Sequence, residues 1–115
     1  MPASAGNLFA DLPHLERGET FQELLRCGLG PQRGRGQVRI ERIVSSATPE
    51  QVLYDQEHAE WVLLLQGRAR LWVDGVAREL VPGDYLLIPA HTLHRVMETS
   101  AQPPCIWLAV HLEGG

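Results

Sequence analysis

The chain has 115 residues and a mass of 12.8 kDa, the size of one domain and too small for two. Its formal charge is −4, and all ten basic residues are arginine. A protein that binds nucleic acid through a broad basic surface is therefore not expected. Apolar residues make up 44%, which is ordinary for a domain with its own core.

The sequence shows no candidate membrane helix or targeting segment. The longest purely apolar run covers residues 61–65, whereas a spanning helix needs about 20 residues. Residues 1–12 have neither a basic start nor an apolar block of signal-peptide length. We therefore expect a cytoplasmic protein that contacts no membrane, with Cys27 and Cys105 reduced.

The first 36 residues are predicted to form a leader that packs on the main domain, which covers residues 37–115. Within the leader, Phe21, Leu24 and Leu25 have a spacing that suits a short helix or a strand with a bulge. Residues 28–36 contain four glycines and a proline, a composition typical of a loop.

From residue 37 onward, short apolar runs separated by turn residues predict β-strands. Asp74 and Gly75 separate two such runs, and both tolerate the positive φ angles of a type I′ turn, so they predict a hairpin. The pattern predicts seven or eight strands in an antiparallel sandwich or barrel. The predicted strands cover residues 38–44, 61–65, 68–73, 76–81, 85–88, 94–97 and 106–112.

Polar side chains that interrupt the apolar strands are the candidate functional residues. Glu60 immediately precedes the most apolar run and shares the parity of alternate residues within it. A continuous strand would also place Gln56 and His58 on the face of Glu60. His91 and His94 stand at the start of another strand. Carboxylate and imidazole groups that meet inside a barrel would suit a divalent metal such as zinc, iron, manganese or nickel.

The spacing around Glu60 resembles the first motif of the cupin family. That motif ends in a glutamate, six residues and a glycine, which Glu60 and Gly67 match. Metal-binding cupins usually carry His-x-His a few residues before the glutamate. This sequence has Tyr54 and Gln56 at those two positions, so two of the usual imidazole ligands are absent.

The spacing around His94 resembles the second cupin motif. That motif is a glycine, five residues, a proline, one residue, a glycine, two residues and a histidine. Gly83, Pro89 and His94 match it, with His91 in place of the last glycine. The resemblance covers about residues 38–111. It implies an all-β, single-domain double-stranded β-helix, the jelly-roll barrel of small bacterial cupins.

The resemblance also implies a site inside the barrel. Its leading interpretation is a small-molecule pocket with a weakly held divalent metal, which is compatible with an oxygenase or an isomerase. The metal ligands would be Glu60 and His94 with Gln56 or His58, while Tyr54 and His91 would contribute to the ligand pocket.

Other functions stay open at this stage, because a fold does not determine an activity. One alternative is a metal-free module that binds a sugar, an aromatic compound or an organic acid without turnover. Another is a sensor or partner-binding domain that uses the barrel only as a scaffold. Cupins of this size generally form homodimers, and the unpaired sheet edges of a sandwich give a physical reason to expect one here.

Overall fold

The structure is a computed structural model that describes residues 3–28 and 36–114. Every regular element in these residues is a β-strand. The described residues contain no helix that is long and apolar enough to span a membrane. In chain order the strands are β1 (Glu19–Gly28), β2 (Gln37–Ser45), β3 (Ala59–Gln66), β4 (Ala69–Val73), β5 (Val76–Leu80), β6 (Tyr85–Ile88), β7 (His94–Thr99) and β8 (Cys105–Glu113).

The strands form two antiparallel sheets. The larger sheet has the order β1-β2-β8-β3-β6, and the smaller has the order β5-β4-β7. The last strand, β8, lies between β2 and β3 and pairs with both, so strands that are far apart in the chain are neighbours in the sheet. This arrangement confirms the predicted all-β jelly-roll barrel.

The predicted leader contributes a strand. β1 pairs with β2, and its register shifts between Glu23 and Leu25, so the strand with a bulge is confirmed and no helix forms there. The Arg42 side chain donates hydrogen bonds to backbone carbonyls within residues 8–11, which ties the N-terminal segment to β2. Most of the loop predicted over residues 28–36 lies outside the described residues, and the division of the chain at residue 36 stays a prediction.

Two tight corners depend on residues that the sequence had marked. Asp74 and Gly75 have φ angles of 47° and 86°, as the predicted hairpin requires. Gly67 has a φ of 89°, and a Cβ placed there would lie 2.8 Å from both the Cys105 Sγ and the Ser100 Oγ. Only glycine fits this corner without a shift of its neighbours.

The hydrophobic core fills one part of the space between the sheets. Trp107 belongs to it, and its indole N–H donates a hydrogen bond of 3.0 Å to the Ser45 hydroxyl, so the polar edge of the ring is satisfied. The remaining space between the sheets is lined by both polar and apolar side chains. The buried core residues are Val62, Leu64, Ala69, Leu71, Leu80, Ile88, Cys105, Trp107 and Ala109.

Candidate functional site

A cavity of about 90 Å³ lies between the sheets, beside the core. The larger sheet supplies Glu60 and His111 to it, the smaller sheet supplies His94, and the connection between β2 and β3 supplies Tyr54 and Gln56. At this volume, the cavity has room for a group larger than a single water molecule. Its apolar wall is formed by Ile43, Val62, Leu71, Ile88, Val96 and Trp107.

Glu60 is the buried carboxylate of the cavity. It faces inward from β3, where it pairs across the sheet with His111 on one side and Ile88 on the other, and it is 7% exposed. Its Oε1 atom lies 3.9 Å from the Nδ1 of His111, beyond hydrogen-bond distance, and no side chain or backbone group among the described residues hydrogen-bonds its carboxylate. A carboxylate that is buried without such partners is costly, so Glu60 has the character of a binding group.

His94 is held in one orientation at the first position of β7. It is 6% exposed, and its Nδ1 atom lies 2.9 Å from the carbonyl oxygen of Thr92. Because a carbonyl only accepts hydrogen bonds, Nδ1 is the donor and carries the proton. In the neutral ring the Nε2 atom therefore keeps its lone pair. Tyr54 stacks on the ring and exchanges two backbone hydrogen bonds with His94.

Gln56 presents an amide oxygen to the same cavity. Its Oε1 atom is buried and has no hydrogen-bond partner within the described part of the chain. Its backbone carbonyl accepts a hydrogen bond of 2.7 Å from the N–H of His91, which fixes the segment. The carboxylate of Glu60, the Nε2 of His94 and the Oε1 of Gln56 are thus three unused acceptors on one cavity.

The structure does not bring the other two predicted histidines into this cavity. β3 begins at Ala59, so the alternation that would have placed His58 inward does not extend back to it. The His58 ring instead lies against His111, with Nε2 and Nδ1 2.8 Å apart. Burial, and then the charge of His111, lower the pKa of His58. His91 has 69% of its side chain exposed and lies 3.7 Å from Asp55.

Two buried groups of the cavity were not predicted from the sequence. His111 is 3% exposed, and its Nε2 atom lies 2.7 Å from the Oε1 of Glu41, whose other oxygen accepts a hydrogen bond of 2.9 Å from Arg39. Both faces of β8 are apolar, so alternation could not show which face His111 occupies. The available signal was its pairing opposite Glu60, which requires the strand register.

Two further glutamates, Glu19 and Glu50, lie where the cavity opens, and Glu50 is exposed. Burial raises the pKa of Glu19; a hydrogen bond from the backbone of Glu50 opposes this rise, and the charge of Glu50 adds to it. The pKa of Tyr54 is raised by burial and then by the charges of the surrounding glutamates. Among the described residues that line the cavity, none is arginine, and the chain has no lysine. The cavity is therefore strongly acidic.

The described lining of the cavity lacks the imidazole-rich ligand set of a strong metal site. In residues 3–28 and 36–114, no group of three or more His, Cys, Asp or Glu side chains could hold a metal ion. What the cavity offers is one carboxylate, one imidazole and one neutral amide oxygen. These are ligand types that divalent metals accept, but the amide is a weak substitute for an imidazole.

Solved structures share this fold over almost the whole chain. A protein from Ralstonia eutropha JMP134, provisionally named as a mannose-6-phosphate isomerase, is 40% identical with a TM-score of 0.79; the match covers 97% of this chain and 100% of that one. KdgF from Halomonas sp. has a TM-score of 0.73 at 17% identity, and the match covers 97% of this chain and 94% of that one. At this low identity the likeness shows the fold alone.

Sequence comparison gives a family and one curated relative. The quercetin 2,3-dioxygenase of Bacillus subtilis (strain 168) is 42% identical over 41 residues, which are 36% of this chain and 12% of that enzyme. This chain therefore matches only about an eighth of the curated relative's length. The cupin domain family model matches residues 45–111, more than half of the chain and both predicted motifs. The chain belongs to the cupin domain family.

Proposed function

We propose that the cavity binds a small molecule together with a divalent cation that is held weakly by Glu60, His94 and Gln56. The observation that supports this most is the buried Oε1 of Gln56, which has no hydrogen-bond partner within the described part of the chain and lines the same cavity as the buried residues Glu60 and His94. Each of the three groups offers a lone pair that a cation would accept. The other predicted ligand, His58, is left out because its ring lies against His111.

The orientation of His94 supports the same proposal. Histidines that ligate metals commonly donate their second ring N–H to a carbonyl or a carboxylate, and Thr92 provides such a carbonyl. Carboxylate and amide oxygens suit harder cations such as Mn²⁺, whereas imidazole suits iron, nickel and zinc. The mixed set of two oxygen ligands and one nitrogen ligand favours manganese or iron(II) over zinc.

A bound divalent cation would supply a Lewis acid, the chemistry on which an isomerase or an oxygenase can be built. These two activities appear in the names of the Ralstonia eutropha and Bacillus subtilis relatives. The residues of this chain would do the rest: the apolar wall would exclude water, and the Tyr54 ring would hold the imidazole of His94 in place.

Metal-free binding of a small molecule is the second candidate. It is favoured by the replacement of two usual imidazole positions by Tyr54 and Gln56. In that case the same acceptors would receive hydrogen bonds directly from a ligand, and there would be no metal-dependent turnover.

Metal content of the purified protein tests the proposal. We expect protein purified without chelator to take up Mn²⁺ or Fe²⁺ on equilibrium dialysis, and Glu60→Gln and His94→Ala to bind at least tenfold more weakly. His91→Ala is the matched control, because this exposed histidine lies outside the cavity. Equal metal binding by all four proteins contradicts the proposal. Binding of an organic ligand by metal-free protein supports the second candidate.

We also propose that two copies associate as a homodimer. β1 and β6 are the edges of the larger sheet, and β5 and β7 are those of the smaller one. Open strand edges tend to pair with another chain. Sedimentation velocity should give a mass about twice 12.8 kDa at micromolar concentration, and a monomer mass there contradicts the proposal.

A further inference from the structure

We infer that a second copy of this chain packs against the outer face of the larger sheet, the face that points away from the cavity. The inference deepens the proposed homodimer, on which it rests, by placing the contact on a sheet face and not on the strand edges. It follows from the residues that the register brings together on this face, from the way one end of the face is covered, and from a contrast with the smaller sheet.

The register of the larger sheet places one apolar row across all five strands. Glu60 and Val62 line the cavity, so Trp61 between them points outward, because side chains alternate between the two faces of a strand. The residues that pair with Trp61 across the sheet point outward as well. In sheet order this row is Leu25, Ile40, Val110, Trp61 and Leu87.

The rows on either side of it are also apolar. In the flanking rows Leu112 is 42% exposed and Tyr85 is 63% exposed, and the Tyr85 ring centroid lies 5.6 Å from that of Trp61. Together the three rows form a continuous surface without a charged side chain, here called the outer apolar face. Such a surface marks a site of contact with another molecule. The flanking residues are Val38, Leu112 and Ala59 on one side, and Leu108, Leu63 and Tyr85 on the other.

One end of the same side of the sheet is already covered by the chain itself. Arg42 follows the outward parity on β2, next to Leu108, yet it is only 8% exposed. Its guanidinium donates hydrogen bonds to the carbonyl oxygens of Leu8 and Ala10, so the N-terminal segment lies against it. Within the described part of the chain no segment extends this cover over Tyr85 and Leu87. The cover for the outer apolar face therefore has to come from another molecule.

The outer face of the smaller sheet has the opposite character. Leu71 on β4 belongs to the core, so its neighbour Arg70 points outward. Arg70 pairs with Glu79 on β5 and with Glu98 on β7, which places opposite charges side by side across three strands. Charged cross-strand pairs suit a face that stays in water. The two outer faces of one molecule thus differ as a solvated face and a contact face do.

Charge identifies a second copy as the partner. The outer apolar face offers no charge for an oppositely charged protein to recognise, and an anionic membrane would repel a chain with a net charge of −4. The same face of another copy is its natural complement, because it is equally apolar and uncharged. Two sheet faces pack about 10 Å apart with their side chains interdigitated. A two-fold axis through such a contact closes the assembly at a dimer and leaves no copy of the face open.

The area of the face is sufficient for a dimer. Strands lie about 4.8 Å apart and outward positions about 6.8 Å apart along a strand, so each position covers about 33 Å² of flat sheet. The three rows then occupy about 400 Å² on each copy, or about 800 Å² for two. Protruding side chains have more accessible surface than this flat footprint. A face-to-face contact therefore reaches the size of about 1,000 Å² that a specific interface needs.

The edges of the larger sheet suit pairing with another chain less well than its face does. The edge strand β6 has only four residues, and the other edge strand, β1, has a bulge between Glu23 and Leu25. Short edge strands and bulges are the features by which proteins prevent pairing at a sheet edge. The face is therefore the better contact for the proposed homodimer.

Charged substitutions on the face test the inference by sedimentation velocity. In Leu87→Glu/Leu112→Glu both new carboxylates stay in water in the monomer but would be buried without partners in the dimer. We expect the double variant to weaken dimerisation at least 100-fold. Val76→Glu, at a position on β5 that is 50% exposed, is the matched control and should change dimerisation less than threefold. A double variant that dimerises as the wild type does overturns the inference and leaves the proposed homodimer standing, whereas a monomeric wild type contradicts both.

Hydroxyl-radical footprinting of the wild-type chain tests the same contact without a substitution that could disturb folding. Trp61 and Tyr85 lie on the outer apolar face, and Trp72 points outward from the smaller sheet, where it pairs with Arg95. As the protein concentration rises through the dimerisation range, oxidation of Trp61 and Tyr85 should fall at least threefold while oxidation of Trp72 stays constant. Unchanged oxidation of Trp61 and Tyr85 in a chain whose mass doubles overturns the inference. A chain that stays monomeric and is protected at Trp61 only by vesicles of phosphatidylcholine also overturns it, in favour of a lipid surface.

Discussion

The ring of His94 stacks on the ring of Tyr54, with centroids 5.4 Å apart and planes inclined by 22°. Tyr54 stands where metal-binding cupins usually carry a histidine, and His94 is the histidine that this chain retains. The stacking and two backbone hydrogen bonds between the residues join the two sequence motifs at the cavity. Tyr54 therefore contributes an aromatic contact to the His94 ring at this position.

Gln56→His should strengthen metal binding. Gln56 already lines the cavity with a buried, unpaired amide oxygen, and an imidazole is a better ligand for first-row divalent metals. We expect at least a tenfold gain in Zn²⁺ or Ni²⁺ affinity, measured by calorimetry. His58 lies outside the cavity, so His58→Gln in the same background should leave the gain intact. If Gln56→His binds no more tightly than the wild type, Gln56 does not face the metal.

Glu19→Gln should raise stability at neutral pH and not at acidic pH. Burial raises the pKa of Glu19 above its unfolded value, so the folded state binds the proton more tightly. The resulting destabilisation is present above the folded pKa and disappears as the pH falls below the unfolded pKa of about 4.3. Thermal unfolding should show a higher Tm for the variant at pH 7 and an equal Tm at pH 3.5. A lower Tm at pH 7 would show that the charge is stabilising.

His111→Leu should destabilise the fold. The imidazole lies 2.7 Å from the carboxylate of Glu41, and leucine would leave that buried carboxylate without this partner. Loss of a partner from a buried polar group costs about 1–3 kcal/mol. Urea unfolding should show this loss, while His91→Leu, at an exposed position, should change stability by less than about 0.5 kcal/mol. Equal effects of the two variants would contradict the importance of the buried pair.

Gly67→Ala should destabilise more than Gly75→Ala. Both glycines have positive φ angles, of 89° and 86°, so both variants carry backbone strain of about 1–3 kcal/mol. At Gly67 the new Cβ would also lie 2.8 Å from Cys105 and Ser100, whereas it meets nothing within 4 Å at Gly75. The difference between the two free energies of unfolding therefore isolates the steric contact. Equal losses would show that the neighbours of Gly67 move freely.

Most strands could be predicted from the sequence for two reasons. Some strands have one apolar and one polar face, and others are apolar runs that end at turn residues. The strand at β6 was predicted with its observed bounds, and the hairpin at Asp74 followed from its backbone requirement. In the leader, Leu24 and Leu25 allowed both a helix and a bulged strand. The pairing of β1 with β2 decides between them, and this pairing is a tertiary contact that local spacing does not contain.

The residues that line the cavity were predicted only in part, because some of them reach it through strand pairing that local sequence does not show. Motif positions identified Glu60, His94, Gln56 and Tyr54, all of which line the cavity. His111 and the other glutamates of the cavity come from strands or connections that carry no motif. These residues reach the cavity because β1 pairs with β2, β2 with β8, and β8 with β3. The register of these pairs is known only from the folded sheet.

The most direct test of the proposed site is a crystal soaked in Mn²⁺ and measured for anomalous scattering. The proposal predicts one strong peak about 2.0–2.3 Å from the carboxylate of Glu60 and from the Nε2 of His94. It also predicts that the Oε1 of Gln56 turns toward the peak. Anomalous density confined to Glu19 and Glu50 at the opening, or no peak beside Glu60 and His94 at saturating Mn²⁺, would contradict it.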